Sequence, residues 1–389
     1  MISVSEALEK IEPLCKPGDV RYASLRKAFG QILAQDVLSP IAMPPFRQSS
    51  MDGYAIHRSE SLEYKLVGEV QAGQNGEIEL KPGEAVRIFT GARVPDSADT
   101  VLVQEDAQKE GAKVSFNKLS NLGANIRQQG EQIQSGDIAV EKNIPLNEAV
   151  LSFLAGLGIT QVPVYEWPKV YIIVTGNELQ KPGTPLKPGE IYESNALLLE
   201  MALYKLGIRK VVVTKVKDSL KETVAVIAKA LKNSDLVLIS GGISVGDYDY
   251  VKEALAENKV EELFYKVNQK PGKPLWAGHI DDKVVFALPG NPASTLSCFY
   301  LYVLPLIKAR LGYSEFHLPR AKAILNTTVL NPQGKTLFLK GKLVNDKVEV
   351  LKGQASSMLI SFSEANALII IPESKAKMLE GETVSCILI

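Results

Sequence analysis

The sequence predicts an α/β multidomain protein, with a central parallel sheet flanked by a helical segment, an inserted small β domain and a C-terminal β-barrel. Three observations predict it. Residues 168–311 run strand, Gly-bearing loop, helix, repeated, and their strands are continuous apolar runs, as in a parallel sheet covered on both faces. Residues 44–140 and 312–389 hold only short β-prone runs between turns. The 389 residues exceed one ordinary domain and suit about two to four.

Taken in order, Val4, Ala7, Leu8 and Ile11 repeat at helical spacing until Pro13. A second helical pattern, Leu25, Ala28, Phe29, Ile32 and Leu33, leads to Pro40. Between Pro44 and Val140, the runs Tyr64–Val70, Ala85–Thr90, Thr100–Gln104 and Lys113–Phe116 read as strands. Asn147 then caps a helix that closes on Gly158. Packing of this helix against the N-terminal helices would make the β domain (44–140) an insertion in a helical one (1–43 and 141–167). In the third segment, 168–311, strands are expected at Val170–Thr175, Val211–Lys217, Asp235–Ser240 and Val284–Leu288. Helices are expected at Asn195–Leu206, Ser219–Lys232, Asp249–Glu257 and Pro292–Leu311, the last kinked at Pro305. The final segment, 312–389, returns to strands and reads as a small barrel.

Composition excludes several classes. Lys+Arg and Asp+Glu are equal at 44 each, so no global field draws the chain to nucleic acid or anionic lipid. The N-terminal MISVSEALEKIEP carries acids where an export signal needs an apolar core. The longest apolar stretch, Cys298 to Ile307, is about half the roughly 20 residues of a membrane span. Cys15, Cys298 and Cys386 lie far apart without a CxxC, which suits a reducing cytoplasm and neither a disulfide frame nor a zinc site.

Ligands of an open parallel sheet bind beyond the carboxyl ends of its strands. Four loops lie there: VTGNEL (174–179), with Thr175 and Gly176; VKDSL (216–220); SGGISVGDYDY (240–250); and ALPGNPAST (287–295). In the last, Pro289-Gly290 is a turn that needs glycine if φ is positive, Asn291 an N-cap and Pro292 a first helical residue. A well-made turn explains all four; an anion held by free N–H groups at the helix start is the functional alternative. Gly241, Gly242 and Gly246, with Ser244 between, are harder to read as a turn alone and suggest a phosphate cradle. The spacing is neither GxxxxGK[ST] nor GxGxxG.

Glu178, Asp218, Asp247 and Asp249 sit at the same strand ends. Helix dipoles alone favour acids there by about 0.3–1 kcal/mol each, which could cover Asp218 and Asp249. Yet a carboxylate about 4 Å from a phosphate charge is repelled by roughly 4 kcal/mol at intermediate dielectric. A phosphate site edged with acids therefore calls for a hard cation, and Mg²⁺ is the usual one. In NQKPGKPLW (268–276), two prolines and a glycine hold Lys270 and Lys273, which are either ordinary surface lysines or anion ligands.

Together and in this order, these loops resemble the molybdopterin molybdenumtransferase family, the MoeA proteins and the gephyrin E domain. The resemblance also rests on PPFRQSSMDGYAI (44–56), IFTGARVP (88–95), NIRQQGE (125–131), KPGKP (270–274), LPGNPAS (288–294) and GQASSMLISFSEANAL (353–368), and covers essentially the whole chain. It implies that residues 168–311 form a molybdopterin-binding domain of the MoaB/MogA type. It implies a homodimer in which the α/β domain of one subunit and the inserted β domain of the other share a site. The implied reaction takes adenylylated molybdopterin and molybdate, or tungstate, cleaves the phosphoanhydride with Mg²⁺, inserts the metal and releases AMP. A molybdopterin adenylyltransferase would be the upstream partner.

Carried over by position, Glu178, Asp218 and Asp249 are the implied acids of the metal and pyrophosphate site, with Asp52, Thr90 and Arg127 contributed from the β domain. Lys270, Lys273, Pro274 and Ser356 match positions associated with the oxyanion. Lys340 stands where the family has an arginine and is implied as a further oxyanion ligand, and Gln132 stands where the family has an aspartate. Two other readings stay open: an adenylyltransferase acting on ATP, against which the extra β domains speak, and a non-catalytic pterin-binding scaffold, against which the acid set speaks.

Overall fold

The computed structural model describes residues 1–243 and 250–389. It divides into two compact units, one formed by Met1–Arg21, Gly30–Ile32 and Val164–Ile389, the other by Tyr22–Phe29 and Leu33–Pro163.

The larger unit is built on a six-stranded sheet: β1 (Val170–Thr175), β2 (Val211–Val216), β3 (Leu236–Ser240), β4 (Glu261–Tyr265), β5 (Trp276–Ile280) and β6 (Lys283–Leu288), in the order β2-β1-β3-β6-β5-β4. Strands β2, β1, β3 and β6 are parallel, whereas β5 and β4 add an antiparallel edge. The wholly parallel sheet expected from the sequence is thus corrected to a mixed one. The acid-led run EELFY of β4 is neither a continuous apolar stretch nor a cleanly alternating one, and its half-exposed edge position explains why.

Period-two alternation sends the strand side chains to two cores. Ile172, Leu238 and Phe286 join one, and Tyr171, Val237 and Val285 the other. The first helix, Val4–Ile11, is closed by a Ser3–Glu6 capping box. Its Ala7 and Ile11 belong to the sheet's core, not to a separate helical group as expected. The helix beginning at Pro292 runs to Cys298, passes through a π-helical stretch at Phe299–Val303 and continues to Arg310. Pro305 lacks the N–H that an α-turn would donate to the carbonyl four residues back, and the wider turn precedes it.

Five further strands follow: β7 (Arg320–Leu325), β8 (Thr336–Val344), β9 (Lys347–Val350), β10 (Ala367–Ile371) and β11 (Thr383–Leu388). They lie in the order β8-β9-β7-β11-β10, and β10 pairs again with β8, so the barrel closes. Leu337, Ile369 and Val384 fill it, while the neighbouring Phe338 and Leu368 turn outward into the core of the α/β sheet. The segment Gln269–Lys270 pairs with the start of β8, Gln269 opposite Thr336 and Lys270 opposite Leu337. The barrel is therefore what holds the Lys270–Pro274 loop.

The smaller unit carries its own six-stranded sheet: Thr100–Val103, Gly53–Ile56, Glu84–Ile88, Glu63–Val70, Lys113–Phe116 and Ala107–Glu110, in that spatial order. The strand Gly53–Ile56 has no counterpart among the runs read from the sequence. Its glycine is dictated by close approach, since a Cβ there would stand 1.9 Å from Leu102 O. The second helical pattern shrinks to Leu25–Ala28. The capped helix at Asn147 appears at Glu148–Gly156, with Asn147 Oδ1 accepting from Val150 N at 2.9 Å. No helix among the described residues is long and apolar enough to cross a membrane.

Phe286 is wholly buried at the centre of the sheet, so Phe286→Ala should cost about 3–5 kcal/mol. Urea unfolding followed by tryptophan fluorescence checks this, and a loss below about 1 kcal/mol would contradict the packing described.

Candidate functional site

Because β2, β1, β3 and β6 are parallel, their carboxyl ends meet one edge, where the chain order reverses between β1 and β3. A cleft of about 940 Å³ opens there, at the upper end of the range for small-molecule sites. It gathers most of the residues expected from the sequence: Thr175 as the last residue of β1, Gly176 and Glu178 after it, Asp218 after β2, Gly241 and Gly242 after β3, and Pro289, Gly290, Asn291 and Pro292 after β6. Lys270, Lys273 and Pro274 line it from the loop held by the barrel, and Ser356 from the barrel's own 353–358 loop. Ser244, Gly246, Asp247 and Asp249 lie outside the described residues.

The acid side is organised by Asn177. Its N–H donates to Asp218 Oδ2 at 3.1 Å, and Asp218 N–H donates back to Asn177 Oδ1 at 3.3 Å, which ties the end of β1 to that of β2. Glu178 folds across the strand end, with both carboxylate oxygens 2.9 Å from where a Cβ on Gly176 would stand. Gly176 has φ 141°. Only a residue without a side chain leaves that carboxylate its place.

Gly241 and Gly242 are demanded by the chain itself. Both have positive φ, and a Cβ on either would come within 2.9 Å of Thr175 Oγ1. Thr175 Oγ1 and Asn195 Oδ1 are buried without a hydrogen-bond partner among the described residues. Asn195 was not singled out from the sequence. Its Nδ2 donates to Ser240 Oγ at 2.8 Å and Gly290 O at 2.7 Å, bridging the ends of β3 and β6.

The turn after β6 differs from its sequence reading in three ways. Gly290 is not among the residues of positive φ, and a Cβ there would meet nothing nearer than Gly241 Cα at 3.7 Å. Asn291 occupies the N-cap position, but its Nδ2 donates to Ser356 Oγ at 2.7 Å instead of its side chain capping the helix. Pro292 has no N–H, and Ala293 N–H is donated to Ser356 O at 3.0 Å. This helix start thus spends its first amide on the Ser356 loop and does not hold it open for an anion.

Lys270 and Lys273 are exposed on the cleft, and a buried network underlies their loop. Tyr302 Oη donates to Gln269 Oε1, while Gln269 Nε2 donates to Gly272 O at 3.2 Å and contacts Cys298 Sγ at 3.5 Å. Burial pushes the Cys298 thiol up to about 12, so it stays protonated. Lys335 also lines the cleft, a cation that the sequence reading passed over.

Lys340, expected among the oxyanion ligands, is absent from the lining. It is buried in β8, and its Nζ donates to Gly353 O at 2.6 Å and Met358 O at 2.8 Å. Burial lowers its pKa from the ordinary lysine value, while the carbonyl oxygens favour the charged form and oppose that shift.

Asp52, Thr90 and Arg127 belong to the smaller unit. Asp52 Oδ1 accepts from both Thr90 N and Thr90 Oγ1 at 2.7 Å. The Thr90 amide, then its hydroxyl, hold the Asp52 carboxyl below its usual value, with Arg87 adding to the effect. Arg127 pairs with Gln48 in a short antiparallel ladder.

Comparison with known proteins gives concordant matches along the chain. Residues 2–158 match the MoeA N-terminal region (domain I and II), residues 171–309 a probable molybdopterin binding domain, and residues 322–389 the MoeA C-terminal region (domain IV). The molybdopterin molybdenumtransferase of Haemophilus influenzae is 34% identical over 396 residues, covering 99% of this chain and 98% of its own. That of Bacillus subtilis is 32% identical, covering 100% and 94%. Among solved structures, a molybdopterin biosynthesis MoeA protein from Pyrococcus horikosii superposes with a TM-score of 0.87 at 33% identity, covering 100% of this chain and 99% of its own.

Two glycines of the cleft separate structural from ligand-facing roles. A Cβ on Gly272, at φ 89°, would stand 2.5 Å from Cys298 Sγ, so Gly272→Ala should cost about 1–3 kcal/mol of stability. Gly290→Ala should stay within about 0.5 kcal/mol of the parent. Thermal and urea unfolding decide, and equal costs at the two positions would contradict the geometry.

Proposed function

The chain belongs to the molybdopterin molybdenumtransferase family, and we propose that its cleft takes adenylylated molybdopterin with molybdate or tungstate, cleaves the phosphoanhydride and releases AMP. As a transferase of molybdenum cofactor biosynthesis, it inserts molybdenum into the pterin. The observation that carries the mechanistic reading is the convergence of opposite charges on one cleft: Glu178 and Asp218 at the ends of β1 and β2, and Lys270, Lys273 and Lys335 on the barrel side.

Those charges suit different parts of the reactants. Molybdate is a dianion that needs ammonium groups and O–H or N–H donors away from carboxylates. Lys270, Lys273 and the Ser356 hydroxyl supply them, with Pro274 fixing the loop. The phosphoanhydride lies against the Gly241–Gly242 backbone, Thr175 and Gly176, and the Pro289–Pro292 turn leaves room beside it at Gly290. Asp52, Thr90 and Arg127 serve the substrate from the inserted β domain of the second subunit.

The donor set fits Mg²⁺, which is held by one or two carboxylates and completes its shell with phosphate oxygens and water. Glu178, folded over Gly176, and Asp218, oriented by Asn177, would hold it, with Asp249 as a third acid. When bound, the ion neutralises charge on the anhydride and its leaving phosphate. The acids then do not repel the substrate, and the lysines meet the second anion.

The active species is a homodimer. Support comes from apolar side chains left in water by the larger unit: Val212 and Val213 on the edge strand β2, 51% and 40% exposed, and Leu197 and Met201 on the helix Asn195–Lys205, 58% and 48% exposed. The free thiols of Cys15, Cys298 and Cys386 suit work in a reducing cytoplasm, and a molybdopterin adenylyltransferase acts upstream to supply the substrate.

Supplied with adenylylated molybdopterin, Mg²⁺ and molybdate, the protein should release AMP in a reaction that needs both ions. Asp218→Asn should lower kcat by about 10²–10³-fold, and Lys273→Met should act mainly through the KM for molybdate. AMP release that ignores molybdate, or wild-type rates in both variants, would remove this reading.

A further inference from the structure

Beneath the loop that carries Ser356 lies a buried cation. Lys340 is 3% exposed. Its Nζ donates to Gly353 O at 2.6 Å, Met358 O at 2.8 Å and, more weakly, Ala355 O at 3.5 Å. It also sits 5.6 Å from the centroid of the Phe362 ring. An ammonium has three N–H donors, and here three backbone carbonyls take them. None remains for a ligand unless this cage is broken.

The backbone of Lys340 closes the same loop. Lys340 N–H donates to Gln354 Oε1 at 3.0 Å, and Gln354 Nε2 donates to Lys340 O and Leu351 O, each at 2.8 Å. Across the loop, Ser356 is tied to the strand-end turn. Its O accepts from Ala293 N–H at 3.0 Å, and its Oγ accepts from Asn291 Nδ2 at 2.7 Å. A hydroxyl that accepts from an amide keeps its own proton to donate elsewhere, and Ser356 lines the cleft.

We propose that Lys340 is a positioning residue: by gathering the carbonyls of residues 353, 355 and 358 it holds the Ser356 hydroxyl as a preorganised donor to the oxyanion, which Lys340 itself never touches. This rests on reading the cleft as an oxyanion-transfer site. The point charge matters because it is buried. Its removal leaves Gly353 O and Met358 O to the Ser361 hydroxyl alone and Ala355 O to the Met358 amide, so the loop loses the charged group that gathers all three carbonyls.

The test combines calorimetric binding of molybdate alone with the KM and kcat of AMP release, for Lys340→Met, Gln354→Ala, Ser356→Ala and the double variant Lys340→Met/Ser356→Ala. Ser356→Ala should weaken molybdate about tenfold, and Lys340→Met should do the same with the KM for the adenylylated pterin unchanged. The double variant should be no worse than the worse single one, because both act through one hydroxyl. Gln354→Ala, which removes a loop clamp but no charge, should reproduce the effect in weaker form. It also keeps the test decisive if Lys340→Met does not fold. Hydrogen exchange over residues 353–359 should quicken in both loop variants.

Multiplying losses in the double variant would overturn the proposal, because they would make Lys340 an independent ligand. So would unchanged molybdate affinity in Gln354→Ala or in Ser356→Ala. Should molybdate bind through Ser356 while no AMP is released, the functional reading falls and the positioning role stands.

Discussion

Four parallel strands can end only at the same edge of their sheet, and that directional constraint underlies the site. It brings Thr175, Asp218, Gly241 and Pro289 to one cleft although more than a hundred residues separate the first from the last. Thr175, Gly241 and Pro289 come at the ends of buried apolar strands, so their positions are set by the two cores on the faces of the sheet, while Asp218 follows the more exposed edge strand β2. The second wall comes from the barrel, which closes on itself and uses the start of β8 to hold the Lys270 segment. A rigid floor and a separately anchored wall let the cleft carry opposite charges without collapsing them into ion pairs. Among the described residues, no salt bridge joins the acids of the floor to the lysines of the wall.

Keeping these charges apart has an energetic logic. Carboxylates and lysines in direct contact would neutralise each other and offer little to a ligand bearing two anions. Separated, they favour a ligand set with a hard cation on one side and an oxyanion on the other. The polar groups behind the walls serve that separation. Asn177 ties Asp218 to the end of β1, Gln269 braces the lysine loop from below, and Lys340 gathers the Ser356 loop.

What the sequence made legible followed from local physics. Continuous apolar runs marked β1, β2, β3 and β6, and the residues just after them marked the cleft. The Asn147 cap and the five strands of the barrel were equally readable, because capping and alternation act within a few residues. What stayed hidden depends on partners far away in the chain. Asn195 bridges two strand ends, and the Gln269–Tyr302 pair spans 33 residues, with no spacing rule to announce either. Lys340 read as an oxyanion ligand from its place in the family pattern, yet its burial is decided by a loop that wraps around it. Gly290 read as a conformational need, whereas its φ is ordinary and the space beside it belongs to the cleft. Strand β4 escaped because an edge strand led by two glutamates has neither an apolar run nor a clean alternation.

The division of charge within one cleft is tested most directly by crystals soaked with Mn²⁺ and tungstate together, with anomalous difference maps collected at each metal's absorption edge. Manganese should appear against the carboxylates of Glu178 and Asp218, and tungsten beside Lys270, Lys273 and the Ser356 hydroxyl, as two separate peaks in the same cleft. Tungsten lying against the carboxylates, or manganese bound elsewhere with both acids turned to bulk water, would contradict the account.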